Sequence, residues 1–127
     1  MFDAYGRNIH YLRLSVTDLC SLRCRYCMPE GVPKLAHGDI LTYEEFLRLA
    51  ALFARCGVDT VRVTGGEPLV RPGVEQLVAG LKATPGIRKV TMTTNGVRLA
   101  EKLPALLAAG LDSVNISLDT LDAETFR

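Results

Sequence analysis

The chain has 127 residues, 48% of them apolar, with a formal charge of +1 at pH 7. That is one ordinary domain or part of one, apolar enough for a core, and its interspersed charges give no electrostatic case for a nucleic acid or an anionic membrane as partner. The opening residues lack the basic and apolar regions of a targeting segment, no run is long enough to span a bilayer, and four unevenly spaced cysteines make a poor disulfide set, so a reducing cytoplasm is the expected setting.

His10 to Val16 predicts a strand, with Leu12, Leu14 and Val16 on one face and Tyr11, Arg13 and Ser15 on the other. Cys20, Cys24 and Cys27 follow in a C-x3-C-x2-C run, and thiolates select zinc or an iron-sulfur cluster over hard cations. Three ligands leave one iron of a four-iron cluster open to an outside ligand. A structural zinc loop would need a fourth, from Cys56 or His37, and spacing alone leaves both readings standing. Tyr26, between two of the cysteines, either packs the loop onto the sheet or contacts a flat aromatic ligand. Pro29, Gly31, Pro33 and Gly38 mark a long irregular connection. Thr42 to Glu45 has the form of a capping box, Phe46, Leu49, Ala50 and Phe53 recur at helical spacing, and Gly57 stops the helix. Cys56, in the last turn, is expected to pack in the core rather than bind a metal.

Val58 to Thr64 predicts the second strand, followed by Gly65-Gly66-Glu67-Pro68. The two glycines let backbone approach a ligand, and Glu67 reads as structural. A helix is expected to open at Pro72 and to carry Val74, Leu77, Val78 and Leu81 on one stripe. Arg88 to Thr94 is the third strand, with Asn95-Gly96 turning the chain. Leu99 to Ala109 is expected to be helical at least in its second half, with Pro104 near the first turn and Gly110 at the end. Leu111 to Leu118 is the fourth strand, and Asp119 or Asp122 starts a further helix.

Strand, loop and helix recur as in βα units with parallel strands, whose ligands gather at the carboxyl ends of the strands. The unusual residues sit at those ends: the cysteine run, Gly-Gly-Glu-Pro, Thr93-Thr-Asn-Gly, and Ser117 with Asp119. Alternation puts Val61, Val63, Val90, Met92, Val114, Ile116 and Leu118 on a face for covering helices. The opposite face carries Arg13, Ser15, Arg62, Thr64, Thr91, Thr93, Asn115 and Ser117. Fully covered parallel strands are apolar on both sides. A polar face therefore fits a wet cavity, with two arginines suited to an anion such as phosphate, or else these groups bond one another and face solvent.

The cysteine run with an aromatic before its last thiol, followed one βα unit later by Gly-Gly-Glu-Pro, resembles the radical S-adenosylmethionine (SAM) superfamily. The resemblance implies a 4Fe-4S cluster on Cys20, Cys24 and Cys27 whose open iron binds S-adenosylmethionine, and reductive cleavage to a 5′-deoxyadenosyl radical, with an external electron donor. A narrower resemblance is carried by Tyr11 to Asp18, Cys27-Met-Pro, Val61 to Arg71, Thr93 to Gly96 and Asn115 to Asp119. It is to the GTP 3′,8-cyclases, lyases of molybdenum cofactor biosynthesis. This implies GTP contacts at Arg13, Arg62 and Thr93, S-adenosylmethionine contacts at Tyr26, Gly66 and Ser117, and a homodimer as one option for assembly. It also implies an α/β fold, a truncated partial (βα)6 TIM-like barrel with about four parallel strands and covering helices. Residues 1–127 would then be the amino-terminal part of the core, without the family's C-terminal domain that holds a second cluster. Ser21 departs from the asparagine often found there in the family. A radical SAM enzyme acting on another substrate, such as a peptide, and a non-enzymatic zinc or electron-transfer module are the rival readings.

Overall fold

A computed structural model describes residues 3–17 and 40–118. The predicted irregular connection, His37 and the helix start at Asp119 or Asp122 lie outside the described residues. Four strands, β1 (Tyr11–Ser15), β2 (Thr60–Thr64), β3 (Lys89–Thr94) and β4 (Ser113–Ile116), form one parallel sheet in the order β1-β2-β3-β4. Helices α1 (Tyr43–Arg55), α2 (Val74–Ala83) and α3 (Leu99–Ala109) stand between successive strands. A strand order that follows the sequence without reversal is that of a barrel wall, whereas a doubly wound sheet reverses at its switch point. The expected α/β architecture is the one observed.

The alternation seen in the sequence builds the core. Leu14, Val16, Val61, Val63, Val90 and Met92 point from β1 to β3 and their extensions into a cluster closed by Phe46 and Ala50 of α1, the predicted α2 stripe, and Leu106 of α3. Burying such a side chain contributes about 1.5–3 kcal/mol. The pattern weakens at β4. Val114 is half-buried, but Ile116 and Leu118 are 58% and 57% exposed, against the expectation that helices cover them. β4 is the last strand of the described sheet, and no described helix follows it.

The capping box at α1 is complete: Thr42 Oγ1 accepts from the Glu45 amide at 3.2 Å, and Glu45 Oε2 accepts from the Thr42 amide at 2.7 Å. Three other expectations need correction. Helix α2 begins at Val74, because Gly73 at φ 74° cannot be part of a right-handed helix and leaves Pro72 outside; Pro68 instead opens a short 3-10 turn over Pro68–Val70. Helix α3 is regular from Leu99, so Pro104 lies mid-helix. Its missing N–H orphans the Ala100 carbonyl, and both residues are exposed, where water can take that bond. Cys56 is exposed rather than buried: it caps the carboxyl end of α1 and sits about 80° around the helix from Phe46.

The strands are shorter than predicted, yet their ladders continue past the ends. The Val16 amide donates to the Thr64 carbonyl at 2.9 Å, and the Asp59 and Thr60 amides both donate to the His10 carbonyl. At this amino end of the sheet two carboxylates fasten the turns. Asp59 accepts from Thr60 Oγ1 at 2.9 Å and from Arg88 Nη2 at 3.0 Å; Asp112 Oδ2 accepts from the Val90 amide at 2.7 Å and from Lys82 Nζ at 2.9 Å. The Thr60 hydroxyl above all holds the Asp59 carboxyl below the usual aspartate range. Partial burial pushes the Asp112 carboxyl up, but the Val90 amide and Lys82 together outweigh it and hold this group low too.

Candidate functional site

The carboxyl ends of the strands are laced to one another. Beyond β1, the Thr17 carbonyl accepts from the Gly66 amide at 2.7 Å. Gly65 has φ 149°, and a Cβ there would lie 2.6 Å from that same carbonyl oxygen, so only glycine lets the two chains approach this closely. Glu67 is 1% exposed. Its Oε1 accepts from Thr94 Oγ1 at 2.7 Å and from the Leu69 amide at 3.2 Å, and its Oε2 accepts from the Asn95 amide at 2.6 Å. The expected structural role is thereby given a form: one acceptor-only group ties the end of β2 to the end of β3. The Ser117 amide then donates to the Thr94 carbonyl at 2.9 Å, tying β3 to β4. Gly66 and Ser117, exposed, therefore stand at the same edge of the sheet.

The polar face is in register. Arg13 pairs with Arg62 across β1 and β2, Arg62 with Thr91, and Thr91 with Ser113; Thr93 pairs with Asn115. Arg62 Nη1 donates to Thr93 Oγ1 at 2.9 Å, and its guanidinium lies 5.9 Å from the Tyr11 ring centroid. Arg62 Nε and Thr91 Oγ1 are buried without a partner. Two guanidinium side chains on adjacent strands, about 5 Å apart at the backbone, repel unless an anion lies between them. The mutual-bonding alternative accounts for Arg62 with Thr93, and it leaves these other buried groups unmatched.

Of the nine residues singled out from the sequence, Arg13, Arg62, Thr93, Gly66 and Ser117 are described and lie on the polar face or at the carboxyl edge. Cys20, Cys24, Cys27 and Tyr26 lie outside the described residues. Among the described residues no group of three or more His, Cys, Asp or Glu could hold a metal ion.

The sequence reading gave Arg71 no role of its own, only a place at the end of the Val61–Arg71 run. Its Nη1 donates to the Val16 carbonyl and its Nη2 to the Leu41 carbonyl, each at 2.7 Å, while the guanidinium lies 4.3 Å from the Tyr43 ring centroid and 5.7 Å from that of Phe46. The Tyr43 hydroxyl donates to the Pro72 carbonyl at 2.6 Å. Burial pushes the Tyr43 phenol up, with Arg71 pulling against it.

Comparison with known proteins adds an independent line. The family model described as Radical SAM superfamily matches residues 14–127. A GTP 3′,8-cyclase of Geobacter sulfurreducens is 54% identical over 100% of this chain, which spans 39% of that protein. The molybdenum cofactor biosynthesis protein 1 of Bos taurus is 56% identical over 98% of this chain and 20% of that protein. The chain thus spans about two fifths of the bacterial relative's length. The crystal structure of Streptococcus suis SuiB bound to S-adenosylmethionine superposes with a TM-score of 0.72 at 23% identity, covering 92% of this chain and 27% of that one, a likeness of fold.

Proposed function

Since the chain belongs to the radical SAM superfamily, we propose that it carries the cluster- and S-adenosylmethionine-binding part of a GTP 3′,8-cyclase, which converts GTP to (8S)-3′,8-cyclo-7,8-dihydroguanosine 5′-triphosphate in molybdenum cofactor biosynthesis. The observation that carries this reading is the in-register pair Arg13 and Arg62 on the same polar face whose rim bears Gly66 and Ser117. Residues 1–127 are read as the amino-terminal part of the radical SAM core.

Cys20, Cys24 and Cys27 would hold the 4Fe-4S cluster, thiolates being the donors such a cluster takes. That donor set fits this group, and the Gly65-Gly66 turn packs directly on the Thr17 backbone, three residues before the first of those cysteines, with no room there for a Cβ. When bound, the cluster supplies the electron that cleaves S-adenosylmethionine and so permits hydrogen-atom abstraction from C3′ of GTP.

The chain's own residues bind and orient. Tyr26, Gly66 and Ser117 would contact S-adenosylmethionine, and Gly66 and Ser117 share the rim through the Thr17, Glu67 and Thr94 lacing. Arg13 and Arg62 would take the triphosphate. Arg62 keeps Nη1 on Thr93 and has further N–H groups for an anionic oxygen, a division that suits a planar guanidinium and not an ammonium. Glu67 is no proton carrier in this reading, since its oxygens are occupied by three donors. An electron donor and a cytoplasmic setting belong to the same proposal, and no helix among the described residues is long and apolar enough to cross a membrane.

The test is anaerobic reconstitution of the chain with iron and sulfide, followed by titration with GTP. The expected result is a brown protein that cleaves S-adenosylmethionine with dithionite, whose GTP affinity falls about tenfold or more in R13M and in R62M as a charge-assisted bond is lost. Unchanged GTP affinity in both variants refutes the substrate. A colourless chain holding one zinc ion refutes the cluster.

A further inference from the structure

The cysteines fall in the segment 18–39, and the described chain holds the residues on both sides of it. We propose that Arg71 is the positioning residue that fixes Val16 and Leu41, on either side of this segment, to each other, and so governs how firmly the chain retains a cluster; the second clause rests on the function proposed above. Its two terminal nitrogens reach in different directions, Nη1 to the carbonyl of Val16 before the segment and Nη2 to the carbonyl of Leu41 after it, both at 2.7 Å. One rigid planar group thus joins the residues that flank the segment. No carboxylate among the described residues forms an ion pair with it, so its directed bonds go to backbone on either side of the segment.

Arg71 is itself held from three directions. Its amide donates to the Pro68 carbonyl at 3.2 Å, closing the short turn that Glu67 caps through the Leu69 amide. Its guanidinium stacks on Tyr43 in the first turn of α1, and the Tyr43 hydroxyl is anchored on Pro72 next to Arg71. The turn after β2, the end of β1 and the start of α1 therefore meet on one side chain. Bringing the ends of a long segment together loses chain entropy, and a fork already seated on its partners takes that loss before any metal binds. A lysine ammonium is a point charge that neither stacks flat nor presents two donors in a fixed geometry.

The experiment compares the unsubstituted chain with R71K and R71M in two measurements. Limited trypsin digestion of the metal-free protein reads the segment through Arg23, Arg25 and Lys34, against Arg48 in α1 and Lys82 in α2 as reference sites. Iron and sulfide per chain after anaerobic reconstitution, and the rate at which a chelator strips them, read the consequence at the thiols. The expected result is cleavage within 18–39 about tenfold or more faster in R71M, from losing two hydrogen bonds to a charged group, with the reference sites unchanged and less cluster, more readily stripped. R71K should follow R71M. Unchanged segment cleavage overturns the proposal, and so does acceleration at all sites together, which would make Arg71 a general stabiliser of the fold. If the unsubstituted chain takes up no iron-sulfide cluster while R71M still shows segment-specific cleavage, the function proposed above falls and the fastening of the two ends stands.

Discussion

Replacing Glu67 by glutamine tests the lacing of the strand ends with a nearly isosteric change. The carboxylate offers two acceptor oxygens to three donors, Thr94 Oγ1, the Leu69 amide and the Asn95 amide. Glutamine offers one. If its oxygen faces Asn95, its NH2 group faces the other two; the Thr94 hydroxyl can turn, though it already accepts from the Gly96 amide at 3.1 Å, and the Leu69 amide cannot. One bond to a charged group falls to a neutral one, about 1 kcal/mol, and one buried N–H is left unmet, about 1–3 kcal/mol. The expected destabilisation is about 2–4 kcal/mol, a large share of the roughly 5–15 kcal/mol of an ordinary domain and equivalent to a drop of roughly 8–16 °C in Tm. Urea unfolding followed by circular dichroism measures it, and hydrogen exchange at the Leu69 amide, the donor left unmet, should quicken in parallel. In a double-mutant cycle with T94V the two losses should be non-additive by about 1 kcal/mol. E67Q unfolding within about 0.5 kcal/mol of the unsubstituted chain would refute the role given to this carboxylate.

Two further predictions concern the two ends of the sheet. G65A should lower stability by about 2–4 kcal/mol, combining a disfavoured φ with a contact on the Thr17 backbone that cannot move aside; G6A, where a Cβ meets nothing within 4 Å, is the control, and equal melting of both variants would refute the close approach. At the other end, the Asp112 carboxyl titrates below the ordinary value of 3.8 in the folded chain, so its contribution is present above that value and is lost as the pH falls through the lower, folded one. D112N should accordingly destabilise the chain slightly at pH 7, solvent screening keeping the effect small, with the gap to the unsubstituted chain closing on acidification below about pH 4; a gap independent of pH would refute the assignment.

The sequence was legible wherever burial on one face imposes a period. Val74, Leu77, Val78 and Leu81 announced α2, and the Val61 and Val63 alternation announced both the apolar face of β2 and, by exclusion, the face where Arg62 lies. The start of α2 was not legible, because the left-handed turn at Gly73 is set by how the chain returns from the strand end. Cys56 misled because helical spacing places it at the margin of the stripe, where composition alone favours the core. Glu67 was legible as structural, but its partners, like those of Arg71, were not. Arg71 bonds to backbone carbonyls, and Glu67 to two amides and one threonine hydroxyl; every residue has a carbonyl, and nearly every one an amide, so no motif marks those partners.

The two ends of the sheet are fastened by different means, and salt will tell them apart. Asp59, Arg88, Lys82 and Asp112 keep part of their surface in water, so mobile ions weaken their hold on the base as ionic strength rises. Glu67, Thr94 and Leu69 are buried away from those ions. The rim that presents Gly66 and Ser117 should thus keep its shape under conditions that slacken the floor beneath it.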